Sequence, residues 1–241
     1  MAHLENAGSP RQPFFLAPAP VVWLIAALVI AHGLRMLAPG ALSDQILVNY
    51  AFVPVRYAAD VLAARGIGAG SLFEQAVPFV SYIFLHADLT HLAVNSLWLL
   101  AFGPPVARRL GTPAFLAFFF LCGIVAIATH LFANWGSLIP VVGASGAVAG
   151  LMGAGIRVLY RNRRLVFGER PALASALAPR VMLFSGIWIV VNVAAGLTGL
   201  GTTSDMALIA WEAHLGGYFA GLLLIGPFDA LFPRRNAHLG A

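Results

Sequence analysis

The chain has no lysine, one cysteine and few charges of either sign: Asp, Glu and Arg make up 10% of its 241 residues. Soluble domains carry about 25% charged residues, so there is too little polar surface here to coat a water-soluble globule. The lone cysteine, Cys122, lies within an apolar run, which excludes an intramolecular disulfide and a thiolate metal cluster. Basic blocks interleaved with exposed aromatics are missing, and with them a nucleic-acid surface. So are the alternating strands that would build a membrane barrel. What is present is hydrocarbon: 60% of the residues are hydrophobic and mean hydropathy is +0.87. At about 20 residues per helical span, six spans would use roughly 120 residues, leaving the remainder for connections. The expected class is an all-α membrane protein forming one helical domain.

Six apolar stretches are read as spans: Pro18 to Leu37, Leu89 to Gly103, Thr112 to Ala133, Gly143 to Tyr160, Pro179 to Leu197 and Met206 to Pro227. The first exceeds the apolar core of a usual secretion signal and further spans follow, so it reads as retained; the small residues around Ala38 to Ala41 leave cleavage open. Asp88 is placed to cap the second span, which Pro104 and Pro105 should end or kink. Thr112-Pro113 supplies an N-cap and a first-turn proline for the third, and Ser204 and Asp205 precede the sixth as candidate caps. Ala38 to Gln75 mixes Asp44, Arg56, Asp60 and Arg65 with Ile46, Tyr50, Phe52 and Tyr57, as expected of a long loop lying in the membrane interface.

Charge orients this arrangement. With six spans, eleven of the fourteen arginines share one side with three acidic residues, a net +8, while three arginines and six acids on the other give −3. By the positive-inside rule the arginine-rich side, carrying both termini and the Arg161 to Arg164 run, is cytoplasmic.

Polar residues at membrane depth are functional candidates by default. His86-Ala-Asp-Leu-Thr-His91-Leu-Ala-Val-Asn95 lies at the outer end of the second span, where His91 and Asn95 share a helix face. They read either as a hydrogen-bonded structural pair or as metal ligands, but the spacing is not His-Glu-x-x-His and no third ligand is evident. Gly143-Ala144-Ser145-Gly146 opens the fourth span. Its small residues suit close helix packing, yet a serine at a helix N-terminus also meets unpaired backbone N–H groups and the positive end of the helix dipole, where an oxyanion is stabilised. His214 lies inside the sixth span and is followed by Gly217 and Gly221, a small-residue face able to admit the fourth span and bring serine and histidine together. At 1.5 Å per residue, Ser145 lies about 24 Å from Arg161, Asn95 about 20 Å from Arg108, and His214 roughly 20–30 Å from the cytoplasmic end of its span. All three groups fit one layer near the outer leaflet.

These motifs, in this order, resemble the rhomboid intramembrane serine proteases over most of the chain. The resemblance implies a six-transmembrane-helix rhomboid-like bundle with a dyad in which His214 takes the proton of Ser145, and no triad aspartate. It also implies an oxyanion site formed by the Ser145 N–H with Asn95 and His91 beside Gly143. His86 takes a structural place at the mouth, and Gly146, Gly217 and Gly221 are structural residues near the site. Thr198 to Asp205 matches a mobile cap. His86, Asp88 and Thr90 are expected to line a water-filled opening. Two features depart from the pattern: Ala149 stands where many relatives carry an aromatic that packs on the histidine, and a Trp-Arg pair in the first loop is absent. Trp211 and Tyr218 are the candidates for orienting His214 instead. His32 and His130 read as solvated or hydrogen-bonded, and Asn192 as interhelical glue, with a substrate contact left open.

The expected organisation is a cytoplasmic segment at 1–17, a catalytic domain at 18–227 and a cytoplasmic tail at 228–241, in a bacterial inner membrane. The expected partners are the lipid bilayer and single-span membrane-protein substrates with helix-breaking residues and a small residue before the cut. No metal, organic cofactor, nucleic acid or oligomer is required. The alternatives are a non-catalytic rhomboid-like protein that binds membrane clients and a small transporter, although an internal repeat is not evident.

Overall fold

The computed structural model describes residues 17–66, 68, 70–160, 171–199 and 210–232. Among them the chain is helical and the only β pairing is an isolated bridge between Phe52 and Val141. The α-helices are α1 (Ala19–Leu37), α2 (Gly40–Tyr50), α3 (Ala59–Ala64), α4 (Leu72–Ala76), α5 (Pro78–Ser81), α6 (Leu89–Leu110), α7 (Thr112–Ala133), α8 (Ser145–Leu159), α9 (Pro179–Thr198) and α10 (Trp211–Leu231). By length and composition α1, α7 and α9 are able to cross a membrane. A fourth candidate is a bent pair in which Leu72–Phe84 meets Leu89–Leu110 at 82°.

α8 is the centre. Twelve of its fifteen residues are buried, as expected of a helix apolar on every side. Its glycines let neighbours reach its backbone: a methyl group on Gly146 would come 2.6 Å from Ala126 Cβ of α7, and one on Gly155 would come 3.2 Å from Phe102 Cδ1 of α6. Contact with α10 is tighter still. A side chain on Gly217 would run into the Gly146 carbonyl, and one on Gly221 into that of Gly150.

Several boundaries differ from expectation. α6 continues through Pro104 and Pro105 to Leu110 rather than ending at Gly103. The prolines forfeit two backbone donors, but the helix is held on both flanks, by Phe102 against Gly155 and by Gly103 against Val21 of α1. Gly111, at φ +81°, is the residue between α6 and α7, so Thr112 is the first residue of α7 rather than its cap. Asp88 does cap α6, accepting from the His91 N–H at 2.8 Å. The interface loop is mostly short helices, which pair its backbone groups locally, and Phe52 and Val141 exchange two backbone bonds of 3.0 and 2.7 Å. α10 is described from Trp211 and passes through Pro227 to Leu231; Met206, Ser204 and Asp205 lie outside the described residues. So do most of the Thr198 to Asp205 loop and the Arg161 to Arg164 run.

At the end of the bundle where α6 finishes, Arg109 grips Asp229 of α10 with two bonds of 2.8 and 2.6 Å and donates a third, of 2.9 Å, to the Pro171 carbonyl. Arg157 of α8 donates to the carbonyls of Ala174 and Leu222 at 2.8 and 2.7 Å.

Candidate active site

Ser145 is the first residue of α8 and is half-buried. The first bond of that helix runs from the Val148 N–H to the Ala144 carbonyl at 2.9 Å, so the N–H groups of Ser145, Gly146 and Ala147 precede the intrahelical ladder and carry the positive end of the dipole. The preceding turn is built for a glycine. Gly143 has φ +118°, and a methyl group on it would lie 2.7 Å from His91 Cε1 and 2.8 Å from Nε2. Its N–H donates to the Tyr82 carbonyl at 2.9 Å, while the buried Tyr82 hydroxyl donates to the Gly123 carbonyl at 2.8 Å. Tyr82 thus fixes the turn that leads into Ser145.

α10 delivers His214 through the glycine contacts with α8. His214 Nε2 lies 2.8 Å from Ser145 Oγ. The other ring nitrogen, Nδ1, lies 2.8 Å from Asn192 Oδ1 of α9, and the Asn192 amide donates to the Trp211 carbonyl at 3.1 Å. Neither side chain expected to orient His214 makes this contact: Tyr218 is paired with Ser185 at 2.7 Å and stacks on Trp188, and Trp211 contributes its backbone.

His91 and Asn95 stand on the other side of Gly143. Asn95 is buried and donates one amide hydrogen to the His91 carbonyl at 2.9 Å, leaving its second hydrogen for another acceptor. The His86 and His91 rings meet edge to face with centroids 5.1 Å apart. His86 is fully buried, so it backs His91 rather than lining an opening; Asp88 is half-buried and Thr90 exposed. Arg35 of α1 donates to the His86 carbonyl at 2.7 Å. His130 is buried on α7, its Nδ1 3.5 Å from Glu212 Oε2. Among the described residues, no group of three or more His, Cys, Asp or Glu side chains is arranged to hold a metal ion.

A family model described as the Rhomboid domain matches residues 74–228, more than half of the chain. The chain belongs to the rhomboid family. Among curated rhomboid relatives, the rhomboid protease GlpG of Serratia proteamaculans is 30% identical over 155 residues, which cover 64% of this chain and 49% of that protein. The rhomboid protease GlpG of Yersinia pestis is 28% identical over 168 residues, 69% of this chain and 51% of the relative. The rhomboid protease GluP of Bacillus subtilis is 35% identical over 109 residues, 44% of this chain and 21% of the relative. The matched part of the chain thus spans between about a fifth and about half of these rhomboid proteins.

Tyr82 was not assigned to this region by the sequence, and Asn192, read as interhelical glue with a substrate contact left open, was not expected to meet His214. Tyr82 holds the turn through its backbone carbonyl and is itself held by its hydroxyl on Gly123, 41 residues away, a pairing that no local sequence pattern marks. Asn192 carried a signal: Ser185, Trp188, Asn192 and Gly196 recur at helical spacing and form a polar and small face on an otherwise apolar span.

Proposed function

We propose that this chain is an intramembrane serine endopeptidase that cuts single-span membrane proteins near the outer face of a bacterial inner membrane. Six spans would form its catalytic domain over 18–227, with the segments at 1–17 and 228–241 in the cytoplasm. The observation that carries the reading is the 2.8 Å approach of His214 Nε2 to Ser145 Oγ at the N-terminus of α8.

In the reaction, unprotonated Nε2 accepts the hydroxyl proton as Oγ attacks the scissile carbonyl carbon. The carbonyl π pair moves onto oxygen, and this oxyanion takes hydrogen bonds from the Ser145 N–H, the second Asn95 amide hydrogen and the His91 ring. Collapse breaks the C–N bond. The leaving amine takes the proton from His214, and an acyl-enzyme ester remains on Ser145. Water then attacks the ester, again giving its proton to His214, which returns it to Oγ as the acid product leaves. These steps need neither a metal nor an organic cofactor.

The test is cleavage of a single-span reporter by purified wild-type and Ser145→Ala protein in detergent with excess chelator, alongside fluorophosphonate labelling. A chelator-resistant cut and label, both lost in the variant, are the expected result. Neither cut nor label in the wild type would overturn the reading in favour of a non-catalytic protein that binds membrane clients.

A further inference from the structure

We propose that Asn192 is the positioning residue of the Ser145–His214 pair, its side-chain oxygen holding the imidazole in the tautomer whose Nε2 can take the serine proton. The inference rests on the proposed protease reading and adds a residue to its machinery.

A neutral imidazole carries one N–H, and Nε2 can accept from Ser145 only when that hydrogen is on Nδ1. Nδ1 faces Asn192 at 2.8 Å, so the tautomer depends on which end of the amide is presented. The Trp211 carbonyl decides this. A carbonyl only accepts, so the atom 3.1 Å from it must be the amide nitrogen, which leaves the oxygen facing the ring. An oxygen that only accepts requires N–H at Nδ1 and a lone pair at Nε2. Three groups on two helices therefore fix one proton.

The placement of Asn192 is supported along the whole contact between α9 and α10. One face of α9 presents Ser185, Trp188, Asn192 and Gly196, and one face of α10 presents Tyr218, His214 and Trp211 in the opposite sense. The Ser185 and Tyr218 hydroxyls are 2.7 Å apart, and the Trp188 ring stacks on Tyr218 with centroids 4.3 Å apart. Any side chain on Gly196 would collide with the Trp211 ring, so the bare backbone at 196 lets α9 lie close enough for Asn192 to reach His214. Asn192 is buried, on a helix whose only other buried residues are Val181 and Ser185. Orientation of the base thus depends on α9 being seated.

The test compares Asn192→Ala and Asn192→Asp with the wild type for kcat, KM, pH profile and thermal midpoint on the single-span reporter. Asn192→Ala should lower kcat about tenfold to a hundredfold, with little change in KM. Asn192→Asp should recover part of the turnover lost in Asn192→Ala, its carboxylate accepting from Nδ1 but losing the bond to the Trp211 carbonyl, and should move the acid limb of kcat/KM to higher pH, because a carboxylate favours the imidazolium. Among the described residues, His91 on α6 and His130 on α7 are the titratable groups acting on His214, with Glu212 of α10 beside His130, and they are the same in every variant. A packing role alone would lower the midpoint of Asn192→Ala while leaving kcat and the acid limb in place, and that pattern would overturn the proposal.

Nitrogen-15 NMR of labelled histidine, with the His214 signal assigned by difference from His214→Ala, reads the tautomer without turnover. The Nδ1–H form in the wild type, kept in Asn192→Asp and partly lost in Asn192→Ala, is expected; a dominant Nε2–H form in the wild type would refute it. A wild type that shows the Nδ1–H form yet never cuts would break the protease reading and leave the assignment of the proton intact.

Discussion

At the Arg109 end of the bundle, buried charge is spent on binding helices together: Arg109 gives three hydrogen bonds to Asp229 and Pro171, and Arg157 gives two to main-chain carbonyls. Around Ser145 and His214 the bonded side chains are uncharged serine, asparagine and histidine, with the Arg35 guanidinium set behind them on the His86 carbonyl, and their bonds fix how each side chain is turned. Asn95 bonds to its own helix, His214 bridges a serine and an asparagine, and Asn192 is set by a carbonyl. A charge inside a bilayer is tolerable only when fully paired, so ion pairs suit a permanent clasp. A site that must make and lose charge during a reaction needs neutral groups with bonding capacity left over.

If this contrast holds, variants at the two ends should separate activity from stability. Ser145→Ala has the largest expected effect, a loss of turnover of about 10⁴-fold or more with an unchanged thermal midpoint, read by reporter cleavage and a melting curve. Asp229→Ala leaves Arg109 buried without its carboxylate and should cost about 3–5 kcal/mol of stability, while kcat/KM per folded molecule stays near wild type. A parallel fall in both quantities would dissolve the division between the ends. Asn95→Ala should reduce kcat by about 10²–10³ through the oxyanion, with the fold preserved; full activity would remove Asn95 from that role. Gly217→Val should destabilise by about 3 kcal/mol, the upper end for overpacking, because the added bulk meets the Gly146 backbone carbonyl, which cannot turn aside. An unchanged melting curve would contradict the close approach of α8 and α10.

The sequence carried more of the Ser145 end than of the clasp. Glycine at 217 and 221 and serine at the head of a helix leave local marks, because close packing and an open helix terminus each demand a particular residue type at a particular spacing. Arg109 and Asp229 were sortable only by charge to one side of the membrane, since 120 residues separate them and no periodicity links them. Asn192 read as helix glue for a related reason. A single amide in an apolar span looks the same whether it faces another backbone or an imidazole, and only the fold places Trp211 and His214 at its two ends. The prolines of α6 read as ending or kinking the span; they do not end it, since neighbours on both flanks hold the helix through to Leu110.

α8 has fifteen residues and is about 22 Å long, short of the roughly 30 Å of hydrocarbon in an ordinary bilayer. In a bilayer a helix so short, pinned at its foot by Arg157, would leave its head below the outer surface. α7 beside it has twenty-two residues, about 33 Å, so the shortfall at the head of α8 is walled by protein and not met by lipid. On the proposed reading that walled shortfall is a recess, one in which water could stand over Ser145 below the ends of the neighbouring helices without touching acyl chains.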